Sequence, residues 1–356
     1  FDYYKEERYE FNINEINFAK NLEENNGNLK ELEKVLEAQK LSRDLVNLRS
    51  NDIYPETLAK RVKEELEPLG VDVKIYEEDD IKKMGLTAYL EVAKGSDKKP
   101  RLIVMEYLNS DNDDKPIAYV GKGLTYDSGG YSLKPSNGMK TMHSDMGGSG
   151  TVIGAMKAIA SNKLKVNVVA IVAACENLLS GKSYKPGDVI RARNSMTIED
   201  DNTDAEGRIT LADAVNYAVT EYKPQMLVDL ATLTGSVLSA LGETYTGAIT
   251  NYNEAFKKVM NAAKESDEKI WLLPNDDELR KNNDSKIADI KNSGGPLGGS
   301  ITAGQFIEAF VEDYPWVHLD IAGTAYLSKA YGLYEEGATG VHVKTLYQLA
   351  KNIGEK

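Results

Sequence analysis

The chain has 356 residues, 41% of them hydrophobic, and a formal net charge of −13 at pH 7. That apolar content can fill one large core or two ordinary ones. The basic residues are scattered among an acid excess rather than gathered in a stripe, which argues against a nucleic-acid partner, and no run approaches ~18 apolar residues, so no membrane span is expected.

In chain order, apolar positions Leu29, Leu32, Val35, Leu36, Leu45, Val46 and Leu48 predict an amphipathic helix over Asn28–Leu48, behind the breaker Gly27. Pro55 suits the first turn of a second helix, with Leu58, Val62 and Leu66 four apart. Val71–Tyr76 alternates as a half-buried strand does. Leu102–Met105, Ile117–Val120, Val166–Ala174, Met226–Ala231 and Trp316–Ile321 are apolar enough to be strands buried on both faces. Helical patterns over Thr151–Ala160, Leu211–Tyr222, Ala303–Val311 and Val343–Ile353 alternate with them. This order indicates an α/β fold, expected as a three-layer α/β/α sandwich around a mixed, largely parallel central sheet. Residues 1–40 are expected to form a helical linker and 41–356 one domain. The first residue is Phe1 rather than Met and no signal peptide precedes the first helix, so we expect a processed or partial chain. The single cysteine, Cys175, forbids an intramolecular disulfide and suits a reducing cytoplasm. Its place in the run Val166–Cys175 predicts a buried, inert thiol.

Two segments concentrate the chemistry: Gly121–Gly130, GKGLTYDSGG, and Asn202–Arg208, NTDAEGR. The first follows the strand Ile117–Val120 directly, at the carboxyl end where open α/β sheets bind ligands. The second precedes the helix expected near Leu211. Read as extended loops, both can bring side chains into one cleft, with Asp204, Glu206 and Arg208 on one side of the chain. Asp127, Asp145, Asp204 and Glu206 gathered in one place would repel one another unless cations neutralise them, and a divalent metal does that most directly. His143, His318 and His342 have no H-E-x-x-H or H-x-H spacing, which excludes a histidine-rich zinc site and leaves an oxygen-rich one for Mg²⁺, Mn²⁺ or Zn²⁺. Residue types alone leave open that these acids are solvated loop groups. They equally leave open whether Lys122 and Lys134 are counter-ions or, beside a metal, a neutral-amine ligand.

Rival motifs do not hold. Gly181-Lys182-Ser183 has Glu176 where a phosphate loop needs its first glycine, and Gly148-Ser149-Gly150 with Gly154 follows polar residues instead of the buried strand that a dinucleotide loop requires. No G-x-S-x-G elbow is present.

GKGLTYDSGGYSLKP, MHSDMGGSGTVIGA and NTDAEGRITLADA closely resemble the signature blocks of the leucyl (cytosol) aminopeptidase family. Supporting blocks run along the chain: SRDLVN, DLATLTGS, ITAGQFIEAF, WVHLDIAGTAY and GATGVHVKTL. The resemblance covers roughly Leu41 to Ile353. It implies a metal-dependent aminopeptidase that removes leucine-like amino-terminal residues from peptides, using two divalent ions per chain (Zn²⁺ or Mn²⁺, with Mg²⁺ a third candidate). It further implies Asp127 and Glu206 as bridging carboxylates, Lys122 and Asp145 as the other ligands of the tighter site, and Asp204 as the ligand of the looser one. Lys134 is similar to the lysine that polarises the scissile carbonyl. Arg208 is similar to the arginine that holds a bicarbonate acting as general base, and Met142, Thr232 and Leu233 to the lining of the first side-chain pocket. A cytoplasmic homohexamer and a further N-terminal domain ahead of residue 1 are also implied. The alternative is a non-catalytic binding or scaffold member of the same fold. Departures are few: His143-Ser144 before Asp145, with His143 expected as a solvated loop histidine, and Leu48-Arg49-Ser50 where the family favours prolines.

Overall fold

Along the central strand, Ile117 and Tyr119 belong to one buried apolar cluster and Ala118 and Val120 to another. A strand turns successive side chains to opposite faces, so a strand buried in two cores must be covered on both sides. The structure, a computed structural model, describes residues 3–6, 26–332 and 334–355. The linker expected over 1–40 thus falls partly outside the described residues, at 1–2 and 7–25.

The helices are α1 (Asn26–Asn47), α2 (Pro55–Leu66), α3 (Glu78–Lys83), α4 (Thr87–Ala93), α5 (Ser136–Met139), α6 (Gly147–Ser161), α7 (Glu206–Tyr222), α8 (Gly235–Leu241), α9 (Asn253–Glu265), α10 (Asp277–Arg280), α11 (Gly299–Glu308) and α12 (Val343–Gly354). The strands are β1 (Asp72–Tyr76), β2 (Arg101–Leu108), β3 (Ile117–Asp127), β4 (Asn167–Asn177), β5 (Val189–Arg191), β6 (Thr197–Glu199), β7 (Met226–Ala231), β8 (Thr246–Thr250), β9 (Ile270–Leu272), β10 (Ile290–Lys291), β11 (Trp316–Asp320), β12 (Tyr326–Leu327) and β13 (Gly337–Ala338).

Eight strands form the main sheet in the order β1-β2-β4-β3-β7-β11-β8-β9. The pairs β3–β4, β3–β7, β7–β11 and β8–β9 are parallel, and β1–β2, β2–β4 and β8–β11 antiparallel. Helices α1, α2, α6, α9 and α12 cover one face, through side chains such as Leu45, Leu58, Ile153, Val259 and Leu346. Helices α4, α7 and α11 cover the other, through Tyr89, Ile209 and Phe306. This is the mixed three-layer sandwich expected. Each large side chain buried this way contributes ~1.5–3 kcal/mol, and Leu58, Leu102, Ile103 and Phe306 are fully buried. A small sheet, β10-β6-β5, lies beside α4.

Of the boundaries that differ from the expectation, two matter for the site. The strand expected to stop at Val120 continues to Asp127, because β4 extends the ladder as far as Asp127 opposite Asn177 after β7 has ended. Gly121 therefore marks close packing and not a loop: a side chain there would lie 2.6 Å from the Gly148 carbonyl oxygen, and one at Gly148 only 2.0 Å from that of Leu230. Helix α6 thus rests directly on β3 and β7. Likewise, α7 begins at Glu206 instead of near Leu211, so the end of NTDAEGR is helix, and Asp204 and Glu206 do not alternate along an extended segment.

Cys175 is fully buried in β4, as expected, and burial pushes its thiol pKa well above the ordinary value. Among the described residues no helix is long and apolar enough to cross a membrane.

Candidate metal centre

The strand end, the turn before α6 and the start of α7 meet at one point. Lys122 lies in β3, 4% exposed, with its Nζ 2.8 Å from Asp145 Oδ2 and 3.0 Å from Glu206 Oε1. The same ammonium donates to the Thr232 carbonyl at 2.9 Å, and the Thr232 hydroxyl donates to Asp145 Oδ1 at 2.8 Å. Lys134 reaches in from the loop after β3, 2.8 Å from Asp127 Oδ2 and 2.6 Å from Asp204 Oδ1. Oxygens of Asp127, Asp204 and Glu206 all lie within 4.8 Å of one another. The acids and lysines singled out in the sequence are therefore brought together.

Gly207 explains part of this convergence. A side chain there would stand 2.3 Å from Lys122 Cε and 2.6 Å from its Nζ, so only glycine lets the lysine lie across the first turn of α7.

Burial works against every charge in this cluster. For Glu206 it is the largest influence, joined by repulsion from Asp127, and lifts the pKa from 4.5 to about 8. Burial likewise raises Asp145 from 3.8 to about 6, although Lys122 pulls it down. The lysines are desolvated too, but Asp145, Glu206 and Asp127 outweigh this at Lys122, as Asp127 and its neighbours do at Lys134. Both ammonium groups are held above their ordinary pKa. Protons and lysines thus supply the positive charge that four crowded carboxylates need.

A divalent cation fits this donor set. Glu206 Oε2 is buried with no hydrogen-bond partner among the described residues, an expensive condition for a carboxylate unless a cation meets it. Clustered carboxylate oxygens suit Mg²⁺, Mn²⁺ or carboxylate-bound Zn²⁺.

The remaining candidates are placed differently. Arg208 is buried at the start of α7, donates from Nη1 to the Asn292 carbonyl at 2.7 Å, and its Nε has no partner among the described residues. Burial lowers its pKa to about 10 despite Glu206 and Asp320. Met142 sits half-buried in the turn Met142–Ser144 leading to Asp145. The methyl of Thr232 abuts Gly147. Leu233 packs its side chain against the core on the α7 side, while its amide donates to Asp320 Oδ1 at 3.2 Å.

His143 is not solvated, contrary to expectation. It is 3% exposed and accepts from Arg49 at 2.7 Å, and burial, followed by that guanidinium, lowers its pKa to about 4. His318 is committed elsewhere, 2.7 Å from Asp229, and His342 2.7 Å from the Thr246 hydroxyl.

Sequence reasoning missed two asparagines. Asn292, fully buried after β10, accepts from the amides of Asp201 and Asn202 and donates to Asp200 and the Asn202 carbonyl, fastening the segment before Asp204. Asn177, at the end of β4, donates to Asp127. Neither lies in a recognisable motif; the signal for Asn177 was its register opposite Asp127, which appears only once the strands are paired.

Residues 40–347 match the model of the cytosol aminopeptidase family, catalytic domain. A protein of Treponema denticola called "Probable cytosol aminopeptidase" is 53% identical over 323 residues, which is 90% of this chain and 68% of that protein. One of the same name from Clostridium tetani is 52% identical over 351 residues, 99% of this chain and 70% of the relative. Among solved structures, the bottromycin maturation enzyme BotP in complex with Mn superposes with a TM-score of 0.88 at 34% identity, covering 92% of this chain and 72% of BotP.

Proposed function

The chain belongs to the cytosol aminopeptidase family, a family of metal-dependent hydrolases, and on that premise we propose that it removes leucine-like amino-terminal residues from peptides with two divalent ions per chain. The observation that carries this reading is the meeting of Asp127, Asp204 and Glu206 oxygens within 4.8 Å, beside two lysines and an orphaned carboxylate oxygen. In it, Asp127 and Glu206 would be shared by the two ions (Zn²⁺ or Mn²⁺, with Mg²⁺ a third candidate), with Lys122 and Asp145 completing the ligands of the tighter one and Asp204 those of the looser one. Such ions lower the pKa of a bound water enough to make it a nucleophile near neutral pH.

The chain's own residues do the rest. Lys122 must give up its proton to ligate, and Glu206 and Asp145, protonated more readily than usual without metal, must give up theirs. Lys134 keeps its proton and faces the same oxygens from the solvent side at 18% exposure, placed to orient a scissile carbonyl and to stabilise the negative charge that grows on its oxygen. Arg208, whose Nε meets no partner among the described residues, would hold a bicarbonate, and that anion would supply a general base. Met142 and Thr232, with Leu233 at the edge, form the pocket for the first side chain.

The same reading includes a helical linker over 1–40, a catalytic domain over 41–356, a homohexamer and a cytoplasmic setting. The match over residues 40–347 supports the division, although α1 runs across residue 40 without a break.

Release of leucine from leucine amide by metal-stripped protein, before and after Mn²⁺ or Zn²⁺ is added, tests the reading. Activity that appears only with metal is the expected result; equal activity in both states would overturn it.

A further inference from the structure

Asp127 Oδ1 is taken up from two sides, by the Gly129 amide at 2.8 Å and by Asn177 Nδ2 at 2.8 Å. Its other oxygen, Oδ2, faces Lys134 and the neighbouring carboxylates. Asn177 is fully buried and its Nδ2 also donates to the Thr203 carbonyl at 3.0 Å, one residue before Asp204. Both partners can only accept, so the amide cannot turn over without setting oxygen against oxygen. Its own Oδ1 has no partner among the described residues. The polarity of this buried group is therefore spent on one carboxylate and on the segment that carries the next.

We propose that Asn177 is the positioning residue for Asp127. By holding Oδ1 it fixes the turn of the carboxylate and leaves Oδ2 facing the centre. This rests on the reading of Asp127 as a metal ligand. A carboxylate free to rotate presents the required oxygen only part of the time, and loss of a group that orients a ligand typically weakens metal binding ~10–100-fold.

Structural damage from removing Asn177 is limited, because each partner keeps another donor. Asp127 retains the Gly129 amide, and the Thr203 carbonyl retains the Tyr184 hydroxyl at 3.0 Å.

The test is calorimetric titration of the metal-stripped full chain with Mn²⁺, with no turnover measured. Asn177→Ala is expected to weaken Mn²⁺ binding about tenfold or more. Asn177→Leu, which keeps the volume and removes both donors, should do the same and serves if the alanine variant folds poorly. In an Asp127→Ala background, Asn177→Ala should cause no further loss, since its effect passes through that carboxylate. Binding within twofold of wild type in both single variants overturns the proposal, as does an equal further loss in the Asp127→Ala background. A wild-type chain that binds no Mn²⁺ overturns instead the metal reading beneath it.

Discussion

Arg49 Nη1 donates to His143 Nε2 at 2.7 Å, so the two short stretches in which the sequence departs from the aminopeptidase pattern touch each other. Arg49 follows the end of α1, and His143 stands two residues before Asp145 with its ring edge-on to Tyr326, centroids 5.6 Å apart. A guanidinium against an imidazole tolerates only the neutral ring, which buttresses the turn into α6 without bringing a charge to the cluster.

Arg49→Ala should therefore raise the His143 pKa from about 4 toward, without reaching, the ordinary 6.5, since burial, the largest influence, remains. With three histidines in the chain, the His143 ring proton is readily followed by NMR. An unchanged titration would show that the guanidinium has no influence on the ring.

Gly207→Ala should release Lys122 from the cluster while leaving the helix intact. Alanine favours a helix by ~1 kcal/mol over glycine, but its methyl would occupy the space 2.3 Å from Lys122 Cε. The expected result is a melting temperature at or near the wild-type value together with a loss of tightly bound metal by elemental analysis. Full metal content in the variant would mean that the lysine has another route to the site.

Lys134→Ala should keep its metal and lose most of its turnover. If the ammonium stabilises the developing oxyanion, kcat on leucine amide falls ~10²–10³-fold, and elemental analysis still finds the wild-type metal content. Normal turnover would rule out the role.

Asp200 gives a pH dependence with a definite sign. Burial, followed by Asp188 and Asp201, raises its pKa from 3.8 to about 7, and its Oδ2 is buried without a partner among the described residues. The folded state therefore holds a proton that the unfolded chain releases near 4. Stability is greatest below that value and falls as pH rises toward 7. Asp200→Asn should reduce the loss in unfolding free energy between pH 5 and pH 8 by on the order of 2 kcal/mol. Parallel urea curves for the two proteins at both pH values would refute it.

Much of the architecture could be read from the sequence because its strands are apolar on both faces and its main helices carry clear stripes. The structure keeps Met226–Ala231 residue for residue and begins the last helix at Val343, as the pattern indicates. What escaped has identifiable causes. Lys122, Gly121 and Gly123 look like a loop by composition, yet they continue β3, since Gly121 admits α6, Gly123 lies close against β4, and the lysine is neutralised by acids distant in sequence. The first turn of α7 carries Glu206 and Arg208 buried, so apolar periodicity starts only after it. Strand β8 is only five residues long, too short for its pattern to stand out, although all five are buried. Helix α9 carries a stripe of Ala255, Phe256, Val259 and Ala262 that is weak because two of the four are alanines. The residues of the candidate centre were named beforehand, but the partners that orient them, Asn177 and Asn292, depend on pairings across 50 and 92 residues, with Asp127 and Asp200 respectively.

Cys175 gives the chain a practical property. Its thiol, the single one in the sequence, is wholly enclosed in β4 and resists ionisation, so thiol-directed reagents find no ready target on the native fold. A cysteine introduced at an outward-facing position such as Leu133, which is 53% exposed beside Lys134, would take up a fluorophore or spin label alone. The native background is silent, so substrate arrival and metal loading could be followed from the rim of the centre without first deleting any residue.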